Sequence, residues 1–125
     1  ATTHRPKAAP MDKLEALRER LRGFAAERDW DQFHSPKNLA MALSVEAAEL
    51  LEIFQWLTEE QSRNLTPETH AAVCDEAADV LLYLIRICDK LGIDLAEAAG
   101  DKMRRNAEKY PVDKSRGSSR KYTQL

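Results

Sequence analysis

Residues 36–57, PKNLAMALSVEAAELLEIFQWL, decide how this chain folds. Leu39, Ala42, Leu43, Val45, Leu50, Ile53, Phe54 and Leu57 recur at helical spacings and cover most sides of the helix axis. A helix apolar nearly all round is buried from several directions. Ser35-Pro36 marks its start, an N-cap residue followed by proline at the first helical position. Glu46 and Glu49 stand inside this apolar run. With Glu46 at zero, Leu39 falls at about +20°, Ala42 at about −40° and Ile53 at about −20° around the axis. The two acids therefore share an apolar stripe instead of facing away from it.

A second pair repeats the theme. Thr66-Pro67 is another cap followed by proline, and the helical period then runs to Leu91, with Gly92 as the expected left-handed stop. Glu76 and Asp79 lie about 60° apart on this helix. Val80, Leu84 and Ile87 surround them, and Tyr83 is about 20° from Glu76. If the two helices pack antiparallel, four carboxylates converge in a half-buried site. Bare, that arrangement is strongly unfavourable, because like charges repel and each must be desolvated. Either protons are retained or cations fill the gap. All-oxygen ligands select hard ions, Mg²⁺ first and Mn²⁺ second. One E-x-x-E is common on exposed helices, but two acidic pairs on apolar stripes of separate helices point to a metal site. Glu52 continues the acidic row, either toward the metal or as an exposed or subunit-bridging charge. A di-iron bundle would need Glu-x-x-His pairs. None of His4, His34 and His70 follows a glutamate by three.

The rest of the chain adds two more helices. Helix one spans about Asp12 to Asp29, with Leu14, Leu17, Leu21, Phe24 and Ala25 on a narrow face. Asp29–His34 (DWDQFH) breaks that pattern and reads as a loop carrying two large aromatics. Thr58–Leu65 reads as a polar loop. Asp94-x-x-Glu97 resembles a capping box and opens helix four, which ends before Pro111. Strand signals are absent, so the fold class is all-α, with four main helices.

Residues 1–10 and 111–125 read as a flexible and a basic tail around a folding unit over 11–110. About a hundred residues leave a thin core, too small to cover the helix over 36–57. A homotetramer is therefore expected. The 125 residues carry 19 Lys/Arg against 21 Asp/Glu, a balance that argues against a partner that is a nucleic-acid polymer. Residues 101–125 hold 8 Lys/Arg against 3 Asp/Glu, so an acidic body carries a basic end. No apolar run approaches the ~18 residues of a membrane span, and no secretory signal is visible. Cys74 and Cys88 fall in one predicted helix, roughly 21 Å apart, too far to bridge. Free thiols suit a reducing, cytoplasmic setting.

Glu46-x-x-Glu49, 26 intervening residues and Glu76-x-x-Asp79 on an all-helical chain resemble the MazG-like family of nucleoside triphosphate pyrophosphohydrolases. The stretches FAAERDWDQFHSPKNLAMAL (24–43), ELLEIFQW (49–56), DEAADVLLYL (75–84), KMRRNAEKYP (102–111) and SSRKYTQL (118–125) extend the likeness over residues 12–125. The resemblance implies a four-helix MazG-like catalytic domain that hydrolyses dCTP, or 5-modified dCTP, to dCMP and pyrophosphate in nucleotide pool sanitation. It implies Mg²⁺ on Glu46, Glu49, Glu76 and Asp79. It implies nucleotide contacts from Trp30, Asp31, Gln32, Phe33, His34, Trp56 and Tyr83, and from Lys102 and Asn106. One carboxylate of the cluster would serve as general base for the attacking water, with Glu49 the candidate.

The residues themselves leave alternatives open. Trp30 and Trp56 each offer a π-face for a base, or simply pack in the core or an interface. The same chemistry could act on dUTP, dATP or an oxidised purine nucleotide. Readings of another class are a non-catalytic helical interaction module and a metal-sensing bundle.

Overall fold

The computed structural model describes residues 12–124, and every regular element among them is helical. The helices are α1 (Lys13–Glu27), α2 (Pro36–Phe54), α3 (Glu59–Arg63), α4 (Pro67–Lys90), α5 (Leu95–Lys109) and α6 (Val112–Ser115). Short 3₁₀ turns cover Asp31–Phe33 and Tyr122–Gln124. The expected N-terminal tail, 1–10, lies outside the described residues. The described residues divide into two compact units, 12–91 and 92–124.

Each main helix starts where a polar side chain can satisfy its free amides. Asp12 accepts from the Glu15 N–H at 2.8 Å, Ser35 from Asn38 at 3.1 Å, Thr66 from Thr69 at 3.2 Å and Asp94 from Glu97 at 3.1 Å. Pro36 and Pro67 occupy first-turn positions, where a missing N–H costs nothing. The stop after α4 also falls where expected, with Gly92 at φ 66°.

Two segments are more ordered than expected. The polar loop 58–65 contains α3, because Thr58 and Gln61 form a reciprocal capping box with bonds of 3.1 and 3.0 Å. The basic segment 111–125 contains α6 and the second 3₁₀ turn. The predicted helix 36–57 ends at Phe54, so Leu57 lies beyond it.

In the first unit, α4 is the central element and packs chiefly against α2, then against α1. The α2–α4 pairing is antiparallel. His34, just before α2, meets Arg86 near the end of α4, whereas Glu46 in mid-α2 meets Glu76 in the first half of α4. The core is small: Ala25, Leu39, Ile85 and Cys88 are its buried apolar residues. Leu39 is only 2% exposed. Truncating it should therefore leave a cavity in this small core. Leu39→Ala is expected to cost about 2–5 kcal/mol, read as a lowered urea midpoint at fixed protein concentration.

Candidate active site

Three of the four expected acids come together. One carboxylate oxygen from each of Glu46, Glu49 and Glu76 lies within 4.8 Å of the others. Asp79 is one turn along α4, close enough for its charge to act on both Glu46 and Glu76. The Oε2 atoms of Glu46 and Glu76 are shielded from solvent and have no hydrogen-bond partner. A carboxylate oxygen only accepts, so two facing carboxylates cannot satisfy each other without a proton or a cation between them. The Glu46 carboxyl is accordingly pushed up to about 7, first by sharing a proton with Glu76, then by burial and by Glu49 and Asp79. For Glu76, the bond to Glu46 works downward. Burial and the charges of Glu49 and Asp79 outweigh it, so that group is raised too. Orphaned, desolvated acids of this kind fit a divalent cation, and Glu46, Glu49 and Glu76 lie close enough together to hold one, with Asp79 outside that group of three.

A second feature lies alongside. A cavity of about 250 Å³ is lined by Leu21, Phe24, Ala25, Trp30, His34, Leu39, Asp79, Leu82, Tyr83 and Arg86. Ligand pockets commonly run ~300–1,000 Å³, so this one has room for a single small ring system, with any charged extension outside it. The loop that supplies Trp30 is built by the end of α1. The Trp30 N–H bonds the Ala25 carbonyl at 2.9 Å and the Asp29 N–H bonds Ala26 at 3.2 Å, a Schellman closure with Asp29 left-handed at φ 53°. Aspartate tolerates that region better than most residues. Gln32 clamps it by donating to both the Asp29 carbonyl and its side chain, at 3.0 and 2.9 Å. The Trp30 ring then meets Phe24 edge-on at 5.5 Å and His34 at 6.4 Å.

The MazG-like family model matches residues 41–125. The chain belongs to the MazG-like family. It is 45% identical to dCTP pyrophosphatase 1 of Mus musculus over 119 residues, 94% of this chain and 70% of that protein. The identity to dCTP pyrophosphatase 1 of Homo sapiens is 44% over the same shares. A crystal structure of a pyrophosphatase from Archaeoglobus fulgidus superposes with a TM-score of 0.78 at 40% identity, over 85% of this chain and 99% of that one.

Within this MazG-like chain the expected site residues separate into groups. Glu46, Glu49 and Glu76 come together, and Asp79 joins them to the cavity. Of the loop residues, Trp30 and His34 line the cavity, as does Tyr83. Asp31, Gln32 and Phe33 are not on that wall. Asp31 pairs with Arg86 and Lys90, Gln32 clamps Asp29, and Phe33 is 61% exposed. Trp56, in the turn after α2, is 86% exposed and lines no part of the cavity. Lys102 and Asn106 lie one turn apart on α5 in the second unit.

Arg86 escaped the sequence reading. It is 5% exposed, lines the cavity and carries a charge into the apolar face of α4. A signal existed, because Asp79, Tyr83 and Arg86 are spaced four and three apart and so share one stripe. A charged residue on that stripe was as anomalous as the acids.

The raised Glu46 carboxyl has a measurable consequence. The folded chain takes up this proton near pH 7, the unfolded chain near 4.5. The stabilisation from this group is therefore present below about pH 4.5 and lost as pH rises through about 7. In chelator, the melting temperature of wild type is expected to fall more steeply between pH 6 and 8 than that of Glu46→Gln. Calorimetry at both pH values reads the difference.

Proposed function

We propose that this chain is a dCTP pyrophosphatase, hydrolysing dCTP to dCMP and pyrophosphate, with 5-modified dCTP as a further substrate, and that it serves nucleotide pool sanitation. One observation carries this most: Asp79 lines the aromatic cavity and lies near enough to the carboxylate cluster for its charge to act on Glu46 and Glu76. A molecule with a ring in the cavity would therefore lead its charged end toward the acids. The dCTP pyrophosphatase 1 relatives, similar over 94% of this chain, support the same substrate.

The residues divide the work. Trp30 and Tyr83 offer π-faces to the base, and each such stack is worth about 1–3 kcal/mol. His34 offers a hydrogen bond. Asp31, Gln32 and Phe33 contribute by holding the loop that presents Trp30 and His34. Lys102 and Asn106 are retained as nucleotide contacts on the family likeness of their K-M-x-x-N segment. Glu46, Glu49, Glu76 and Asp79 bind Mg²⁺, with Mn²⁺ as its substitute. When bound, Mg²⁺ neutralises a polyanion that bare carboxylates would repel, polarises phosphoryl oxygens and makes water more acidic. Glu49 accepts the proton of the water that attacks the α-phosphorus, and pyrophosphate leaves.

Steady-state assays across nucleoside triphosphates test this. The expected products are dCMP and pyrophosphate, with a clear preference for dCTP over purine nucleotides. Glu49→Ala and Asp79→Ala should each lower kcat by at least ~100-fold. Parent-like turnover in both variants, or equal rates on purines and pyrimidines, would overturn the site or the substrate respectively.

The proposal extends to assembly as a homotetramer. Met41, Val45 and Leu51 on α2, and Trp56 just beyond it, are exposed apolar side chains on the very helix whose sequence is greasy nearly all round. Covering them with a second copy buries that surface and gives Trp56 a setting it lacks in one chain. Light scattering is expected to return four times the chain mass, and Val45→Lys with Leu51→Lys should reduce it.

A further inference from the structure

Arg86 has no part in the chemistry above, yet it is the buried charged residue of the first unit. Its guanidinium is engaged on three sides. Nη2 donates to Asp31 Oδ1, Nη1 reaches Asp89 Oδ2 at 3.5 Å, and Nε donates to Nδ1 of His34 at 3.3 Å. Both acids are held in turn. Asp89 accepts from Arg22 Nε at 2.8 Å, and Asp31 from Lys90 at 2.9 Å. Arg22 and Lys90 hold Asp89 and Asp31 below the ordinary carboxylate range, which keeps both acids ionised.

A guanidinium has N–H donors and no acceptor, and it does not deprotonate. The ring nitrogen opposite Arg86 Nε must therefore present a lone pair. A neutral imidazole carries one ring proton, which must then sit on Nε2. The other tautomer, and the imidazolium, would each set N–H against N–H. The surroundings agree. Burial first and the Arg86 charge second hold His34 below the ordinary histidine range, and the Lys90 charge adds to them against the pull of Asp31.

We propose that Arg86 is a positioning residue that locks His34 in the Nε2–H tautomer, so that His34 meets its ligand only as a hydrogen-bond donor. This rests on the nucleotide reading of the cavity that both residues line. The ligand class follows: a ring that turns a lone pair toward His34, as cytosine does with its N3 and O2. Two donors face to face would leave a buried polar group unpaired, the costliest mismatch a pocket can impose.

A purely structural ion pair would also bury Arg86. Lysine separates the two roles, because Arg86→Lys keeps the charge toward Asp31 and Asp89 but loses the Nε–H. Long-range ¹H–¹⁵N spectra of the full chain report the tautomer, with His34→Gln assigning the signal. Wild type is expected to show the pure Nε2–H pattern from pH 6 to 8. Arg86→Lys and Arg86→Met are expected to mix the tautomers and let the ring protonate in that range. Both variants should also raise KM for dCTP about tenfold while kcat changes less than twofold. A wild-type ring protonated on Nδ1 overturns the proposal. So does an unaltered pattern or a restored KM in Arg86→Lys, which would mark a charge-only role. Wild type unable to hydrolyse dCTP would sink the substrate reading instead, and the spectra would still decide for or against Arg86.

Discussion

Glu46 on α2 and Glu76 on α4 face one another with solvent-shielded oxygens that nothing donates to. Two carboxylates in that position cannot both be charged and unaccompanied. The rest of the first unit makes the confrontation unavoidable. Leu39 and Ile85 are buried, the two helices run antiparallel, and the acidic pairs lie on the packed stripes. The unit holds an uncompensated concentration of negative charge at one place, a setting that suits a cation.

The opposite end of α4 solves the same electrostatic problem internally. Arg86, Asp31, Asp89, Arg22 and Lys90 form a closed set in which every charge has a partner. The cavity lies between the open acidic cluster and this closed network, touching the first through Asp79 and the second through Arg86. Its apolar wall favours a flat ring, and its two polar ends are of different character. One holds carboxylate oxygens with no hydrogen-bond partner, and at the other each charge is already paired. That asymmetry gives a bound molecule a direction.

Much of this was legible before any coordinates. The caps at Ser35, Thr66 and Asp94 announced three of the four main helices, because a polar acceptor before an apolar period has one economical use. The spacing of Glu46, Glu49, Glu76 and Asp79 against neighbouring leucines announced the cluster. The short helix α3 was hidden by its polar composition, although Thr58 and Gln61 carried the capping pattern. The resemblance places Trp56 with the substrate and the predicted helix over 36–57 includes it, but α2 ends at Phe54 and Trp56, in the turn beyond, is exposed. Helical angles stop meaning anything once the helix stops.

Local periodicity by itself determined the four main helices and the face of the helix on which each acidic pair lies, because these depend on spacings of three and four within one helix. Only the tertiary structure decided which residues share a wall. It pairs Asp31, an expected nucleotide contact, with Arg86 and Lys90, and it makes Arg86, an unremarked position, the neighbour of His34. Those contacts join residues more than fifty positions apart. No local period reaches that far, and they exist because the Schellman turn after α1 lays the aromatic loop across the end of α4.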